Sequence, residues 1–416
     1  MQSTWENRQT TPWDAIVVGA GVAGAFFAGL AARGGFRVLL LEQNHFPRHK
    51  TCGGCLATRG VQLLQQVGAL NGFNEFLPVQ NAIFKAANGA TVHVPFNHQT
   101  AQPIAISRSS FDQHLVNWAI EQGTEFADSS QVLSAHQSNA EQPFADETTA
   151  GHSRPQQSPT ARPNTARRAQ THHLLVRQES KQAVFSTRLL VLADGLGSPL
   201  ARRLGVQYSS AKAKRIGASW ILPEHALTGF SKNTISMHCT RSGYLGIVGL
   251  PGSEWNLSAS FKAQKPQDFL NRILAEHQIA ATPCRELTAP TTVSRPLRQF
   301  PNRLGGPGFM LIGDSAGYSE PITGEGMSWA FESAYTAFQA YQHDPRLAPE
   351  LYEKRIRARR QYRHLAPLLL TQLTARPTTI RVASALQRFS LFPQSLVQRY
   401  INSTDQQQTT TSGKRL

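Results

Sequence analysis

The stretch Asp14-Ala15-Ile16-Val17-Val18-Gly19-Ala20-Gly21-Val22-Ala23-Gly24 narrows the fold more than any other part of the chain. An apolar run reads as a buried strand, three glycines follow at G-x-G-x-x-G spacing, and small residues from Ala23 to Ala32 read as a helix. In that setting Gly19 makes the tight turn, Gly21 lets backbone approach a pyrophosphate, and Gly24 lets the helix pack on the strand. The helix start aims unsatisfied N–H groups and the positive end of its dipole at phosphates. A second strand, Arg37 to Leu41, ends at Glu42, roughly twenty residues on, where a carboxylate can accept from both ribose hydroxyls. A carboxylate there repels a 2′-phosphate, so the pattern suits FAD or NAD and argues against NADP.

Two later motifs decide between these. Leu190 to Ala193 is an apolar run that delivers Asp194-Gly195, with Ser198 and Arg202 following. Gly308 to Ile312 delivers Gly313-Asp314, followed by Pro321, Gly324-Glu325-Gly326-Met327 and a helix through Ala334. Acids at the carboxyl ends of buried strands stand where open sheets bind ligands. Asp314 is placed to accept from a ribityl chain, and the helix after Gly324 can aim its amides at one edge of an isoalloxazine ring. The order of the three motifs points to FAD.

At 416 residues the chain can bury a large core and divides into two or three domains. It has no apolar run of about 18 residues or more, and Met1 to Thr11 lacks the shape of a secretory signal, so a cytoplasmic protein is expected. Four cysteines make no disulfide framework; Cys52 and Cys55 form a C-x-x-C, but Cys239 and Cys284 stand too far away in sequence to suggest a second pair, and no metal is expected. The net charge of +16 comes partly from Gln137 to His173, a polar segment whose composition reads as a disordered insertion within an overgrown hairpin. The rest lies in the C-terminal third. There, arginines among Ile380, Val382, Leu386, Phe389, Leu391 and Leu396 read as a basic amphipathic helix from Thr378 to Ile401, suited to a membrane surface. Aromatics are not interleaved as stacking platforms, which argues against nucleic acid.

This order of motifs resembles the para-hydroxybenzoate-hydroxylase branch of the glutathione-reductase-type FAD superfamily, and more narrowly the geranylgeranyl reductase family. The narrower likeness rests on Pro47-Arg48-His49-Lys50-Thr51-Cys52-Gly53-Gly54, on Arg108 with Phe111, Asp112 and Leu115, and on Gly324-Glu325-Gly326-Met327. The resemblance implies that Gly19, Gly21, Gly24 and Glu42 hold the adenosine half and that Arg108 approaches the phosphates. It further implies that Asp194 and Gly195 lie near the pyrophosphate, that Gly313 and Asp314 serve the ribityl, and that Lys50, Cys52, Gly53 and Gly54 pass beside the flavin ring with Pro321, Gly324, Gly326 and Met327. The family's tryptophan is missing from Ser242 to Pro251, and Ser219-Trp220-Ile221-Leu222-Pro223 carries only one of the two tryptophans of the related halogenases.

The expected architecture is α/β: a Rossmann-like FAD domain assembled from residues 13–77, 103–206 and 291–340, with an inserted, mostly antiparallel β-sheet substrate domain from 78–102 and 207–290. Helices follow over 341–401, with flexible tails at 1–12 and 402–416. The expected activity is an FAD-dependent oxidoreductase reducing carbon–carbon double bonds of an apolar, lipid-like small molecule. The alternatives are a monooxygenase hydroxylating an aromatic or polyketide substrate, and a non-catalytic flavoprotein at a membrane or nucleic acid. With no second nucleotide fingerprint, NADPH, NADH or another donor must dock transiently. No catalytic acid or base is assigned; Tyr244, His238 and Cys52 are candidates by expected proximity alone.

Overall fold

Five parallel strands carry the motifs. In the computed structural model, which describes residues 12–96, 101–139, 170–210, 215–262 and 264–389 (backbone only for 358–366), the order is Phe309–Leu311, Lys181–Leu192, Trp13–Val18, Val38–Leu41 and Glu125–Ala127. Where these strands meet, Ala15–Val18, Val38–Leu41, Leu189–Leu192 and Phe309–Leu311 are apolar and buried throughout, as in a sheet covered on both faces. The register sets Val18 against both Leu41 and Leu192, and Leu192 against Leu311. The loops that follow, bearing Gly19, Glu42, Asp194 and Gly313, therefore leave the sheet at one edge.

Helix Val22–Arg33 is buried along every residue from Val22 to Ala31, which is why it lacks a polar face. It lies against the sheet and against helices Arg108–Glu121 and Gly326–His343. A Cβ on Gly29 would come within 2.3 Å of the Trp118 ring, so the helix pair Val22–Arg33 and Arg108–Glu121 can approach this closely only with glycine there.

A second sheet runs Thr292–Val293, Arg215–Pro223, Glu254–Lys262, Gly243–Leu250, Thr234–Cys239, Asn81–Ala86, Thr91–Pro95. The expected hairpin around Asn88-Gly89 forms, with Gly89 at φ 81°. One joint departs from an all-antiparallel roof: Thr234–Cys239 and Asn81–Ala86 pair in parallel, since each strand arrives from a different insertion. Leu245, Ile247, Leu257 and Phe261 pack on helix Pro266–Glu276, an element not anticipated within the expected β-sheet domain. The free edge of Thr91–Pro95 is covered by helix Pro377–Arg388, whose Gln387 exchanges two hydrogen bonds with the backbone of His93 at 2.9 and 2.7 Å.

Both ends of the segment read as a disordered insertion are strands. Strands Ser130–Asn139 and Gln170–Gln178 pair with each other and extend from Lys181–Leu192, with Gln137 opposite His172 and His136 opposite His173. Residues 140–169, the rest of the basic amphipathic stretch beyond Phe389 and both expected tails (but for Pro12) lie outside the described residues.

Candidate cofactor and substrate site

A cavity of about 960 Å³ opens at the edge where the parallel strands end and continues beneath the second sheet. Its size falls at the upper end of the roughly 300–1,000 Å³ typical of small-molecule sites. Of the residues singled out from sequence, Gly19, Gly21, Glu42, Lys50, Cys52, Gly53, Arg108, Asp194, Gly195, Gly313, Asp314, Pro321, Gly324, Gly326 and Met327 line it. Gly24 and Gly54 do not. A Cβ on Gly24 would lie 1.9 Å from the Gly19 carbonyl oxygen, so this glycine serves helix packing. Gly54 has φ 69°, and a Cβ there would meet Asn256 Nδ2 at 2.8 Å, so it shapes the loop from behind.

The nucleotide end is built on the start of helix Val22–Arg33. Gly19, at φ 102°, donates to Leu41 O at 2.7 Å, and a Cβ on it would strike Ala193 O at 2.4 Å. Gly21 is the N-cap and supplies no capping side chain, leaving the first amides to the cavity. Glu42 is buried and accepts from Ala20 N at 3.1 Å and from Asn44 N and Nδ2 at 3.0 and 2.8 Å. Two cations stand over the helix start: Arg48 Nη2 is 3.7 Å and Lys50 Nζ 3.8 Å from the position of a Gly21 Cβ. Arg48 also reaches Glu42 at 3.4 Å and Asp112 at 3.2 Å, while its buried Nε has no partner among the described residues. Lys50 pairs with Asp314 at 3.4 Å.

Arg108 lines the cavity, but its fork lies on Asp112, with both bonds at 2.8 Å. Burial opposes its charge, and Asp112 together with Cys52 more than compensates, holding the guanidinium above its ordinary range. Arg48, rather than Arg108, is therefore the arginine nearest the helix start. Asp194 is half-buried, its enclosed Oδ1 has no hydrogen-bond partner among the described residues, and desolvation pushes its carboxyl up to about 6 despite the Ser198 hydroxyl. An uncapped helix start, two cations above it, a buried carboxylate at a strand end and an orphaned acid oxygen fit the charged centre and sugar hydroxyls of FAD.

At the far end the Lys50–Gly53 loop is stitched to the second sheet. Cys52 N donates to Ser219 Oγ at 3.2 Å, Asn256 Nδ2 donates to Cys52 O at 2.9 Å, and Thr51 Oγ1 donates to Thr292 Oγ1 at 3.0 Å. Gly324, at φ 70°, turns the chain into helix Gly326–His343, whose start also lines the cavity. The roof contributes Phe84, Val94, Ile235, Met237, Tyr244 and Val248.

Tyr244 and Cys52 face the cavity, whereas His238 is turned away. His238 is packed against Phe230 and His277, and its pKa falls to about 3 through burial and then through His277 and Lys85. The C-x-x-C recruits no further ligands: among the described residues no group of three or more His, Cys, Asp or Glu could hold a metal ion.

A charged cluster beneath Tyr244 was missed from sequence. The buried Glu320 accepts from Arg298 Nε at 2.7 Å, lies 3.2 Å from Arg215 Nε, and accepts from Ser260 Oγ at 3.1 Å and Tyr244 Oη at 3.5 Å. Burial, then Glu320, raises the Tyr244 phenol well above its usual value. Glu320 stands directly before Pro321 and Arg48 within the Pro47–Gly54 motif, so both had a local signal; Arg215 and Arg298 had none.

Comparison with known proteins agrees with this geometry. Residues 13–158 match the family model described as an FAD binding domain. Menaquinone reductase of Mycobacterium tuberculosis is 25% identical over 405 residues, covering 92% of this chain and 85% of that protein. Conditioned medium factor receptor 1 of Dictyostelium discoideum is 24% identical over 345 residues, and the chain spans only 62% of its length. Among solved structures, p-nitrophenol 4-monooxygenase of Pseudomonas putida superposes with a TM-score of 0.72 at 12% identity, covering 94% of this chain and 97% of that one. A geranylgeranyl bacteriochlorophyll reductase-like protein of Thermoplasma acidophilum gives 0.68 at 18%, covering 90% and 91%.

Proposed function

Taking the chain as an FAD-dependent enzyme, we propose that it reduces a carbon–carbon double bond in an apolar, lipid-like chain. The observation that carries this reading is the continuity of the cavity. From the Cys52 loop it runs beneath Tyr244 and Val248, past Met237, Phe84 and Val94, to Ile380 and Ala383. A slot lined by aliphatic side chains along several strands suits an extended hydrocarbon better than a single compact ring. Bound FAD supplies hydride transfer. The likeness to a protein named menaquinone reductase supports a substrate with an isoprenoid tail.

The chain's own part is to place the double bond and to deliver a proton. Arg48, Lys50 and the helix start hold the phosphates and so fix the dinucleotide. Ser219 and Asn256 hold the Cys52 carbonyl and fix the loop beside the reacting face. Tyr244, at the cavity wall and bonded to Glu320, is the group we assign to protonate the second carbon. NADPH or NADH, docking transiently, is the proposed donor.

The experiment is anaerobic turnover with a polyprenyl quinone and each nicotinamide, read by mass spectrometry. A product heavier by two hydrogens, formed without oxygen, is the expected result. The fold it shares with a monooxygenase supports the second reading, hydroxylation; oxygen consumption stoichiometric with product would establish that reading and remove the first.

A further inference from the structure

We infer that the distal mouth of the cavity is a docking face for an anionic lipid bilayer, through which the substrate enters. The inference rests on the proposed apolar substrate and adds the surface that delivers it.

The cavity ends between helices Ala348–Thr374 and Pro377–Arg388, where Leu370, Leu373, Thr374, Thr379, Ile380 and Ala383 line it. Leu373 belongs to the lining yet is 49% exposed, so the apolar interior continues onto the surface at this point. Leu369, one turn earlier, is 58% exposed. On the next helix Val382, Leu386 and Phe389 follow at i, i+4 and i+7, one apolar stripe, with Val382 at 59% and Phe389 at 76% exposure. That helix is held in place from behind, by Gln387 on the His93 backbone and by buried Ile380 and Ser384, so its outward stripe is not left over from poor packing.

Among the described residues from Leu369 to Phe389 every charge has one sign. Arg376, Arg381 and Arg388 are exposed beside the stripe, and helix Pro377–Arg388 carries no acidic residue. Arg241 and Arg376 share a hollow with Gln372 and Thr378 at the turn between the helices, a setting for a lipid phosphate. Exposed apolar side chains within a collar of arginines, at the end of an apolar slot, match a bilayer that attracts cations and takes up hydrocarbon. No helix among the described residues is long and apolar enough to cross a membrane, so the contact is with one surface.

The test is co-sedimentation of the flavin-loaded full chain with vesicles of phosphatidylcholine containing or lacking phosphatidylglycerol. Binding to the anionic vesicles that falls at high salt is expected. The exposed pair Val382→Ser with Phe389→Ser should reduce it at least tenfold, and Arg376→Gln with Arg381→Gln and Arg388→Gln by roughly a hundredfold. Turnover of detergent-dispersed substrate should be unchanged in the double variant, while turnover of vesicle-borne substrate is lost. Wild-type protein that ignores anionic vesicles, or a double variant that binds them equally, overturns the inference. So does a dimer in ultracentrifugation that this variant disperses, because a second copy would then be the occupant. Vesicle binding without reduction of any substrate would remove the proposed activity alone.

Discussion

Replacing Glu320 with alanine tests whether the cluster beneath Tyr244 is a structural joint as well as part of the site. The carboxylate is buried, 2.7 Å from Arg298 Nε and 3.2 Å from Arg215 Nε. At an effective dielectric constant of about 20 each attraction is roughly 5 kcal/mol, most of it offset by desolvation of the three charges. Intact, the cluster therefore contributes little net stability. Truncation is different: it leaves the buried Arg215 and the half-buried Arg298 without this counter-charge, a loss of about 3 kcal/mol, the lower end of what a fully buried pair would cost. Arg298 also sits at φ 59°, a conformation that costs a non-glycine residue on the order of 1 kcal/mol and persists only where its surroundings impose it. Urea denaturation at saturating FAD, followed by flavin fluorescence and circular dichroism, measures the loss. Adding Arg298→Ala should recover part of it, a coupling of about 0.5–3 kcal/mol in a double-mutant cycle. A Glu320→Ala protein within about 1 kcal/mol of wild type, or strictly additive changes, would refute this account.

Arg48→Ala and Asp314→Ala should each weaken FAD binding roughly tenfold or more, by loss of charge-assisted contacts, while Cys52→Ser retains the cofactor; fluorescence-quenching titration would show otherwise if Arg48→Ala bound as tightly as wild type. Asp194 has its folded carboxyl raised to about 6 from 3.8 by burial, so its ionisation destabilises the fold as pH rises from about 4 and fully above about 6. The thermal midpoint of Asp194→Asn should accordingly gain on wild type across that window and coincide with it below; a constant offset at all pH values would contradict the assignment. Gly246→Leu places a Cβ 3.1 Å from Met237 Sδ and 3.5 Å from Ser258 Oγ, and its longer side chain enters the slot. A KM for long-chain substrate raised at least tenfold with unchanged flavin absorbance is expected, and an unchanged KM would mean the chain lies elsewhere.

What could be read in advance was what lies close in sequence. The strand-glycine-helix unit, the acids at the ends of Val38–Leu41 and Phe309–Leu311 and the Asn88-Gly89 hairpin are each decided within about fifteen residues. Their positions follow from local turn chemistry and apolar periodicity. The site's second half is assembled across distance: Glu320 meets residues from Arg215 to Arg298, and Arg48 meets Asp112. No spacing rule links those partners. Arg108 is a different case: resemblance alone gave it to the phosphates, although Asp112, four residues on in the same helix, takes both arms of its fork. The misplacement of His238 has a different cause. Alternation along Thr234–Cys239 was legible, but which face looked at the cavity was not. The register settles it: His238 stands opposite Leu245, whose side chain belongs to the core on helix Pro266–Glu276, so the pair faces away while Met237 and Gly246 face the slot. A strand pattern carries two faces and needs one long-range contact to say which is the inside. Here that contact is the packing of Leu245, the neighbour of His238, against Phe269, Leu270 and Ile273 of helix Pro266–Glu276.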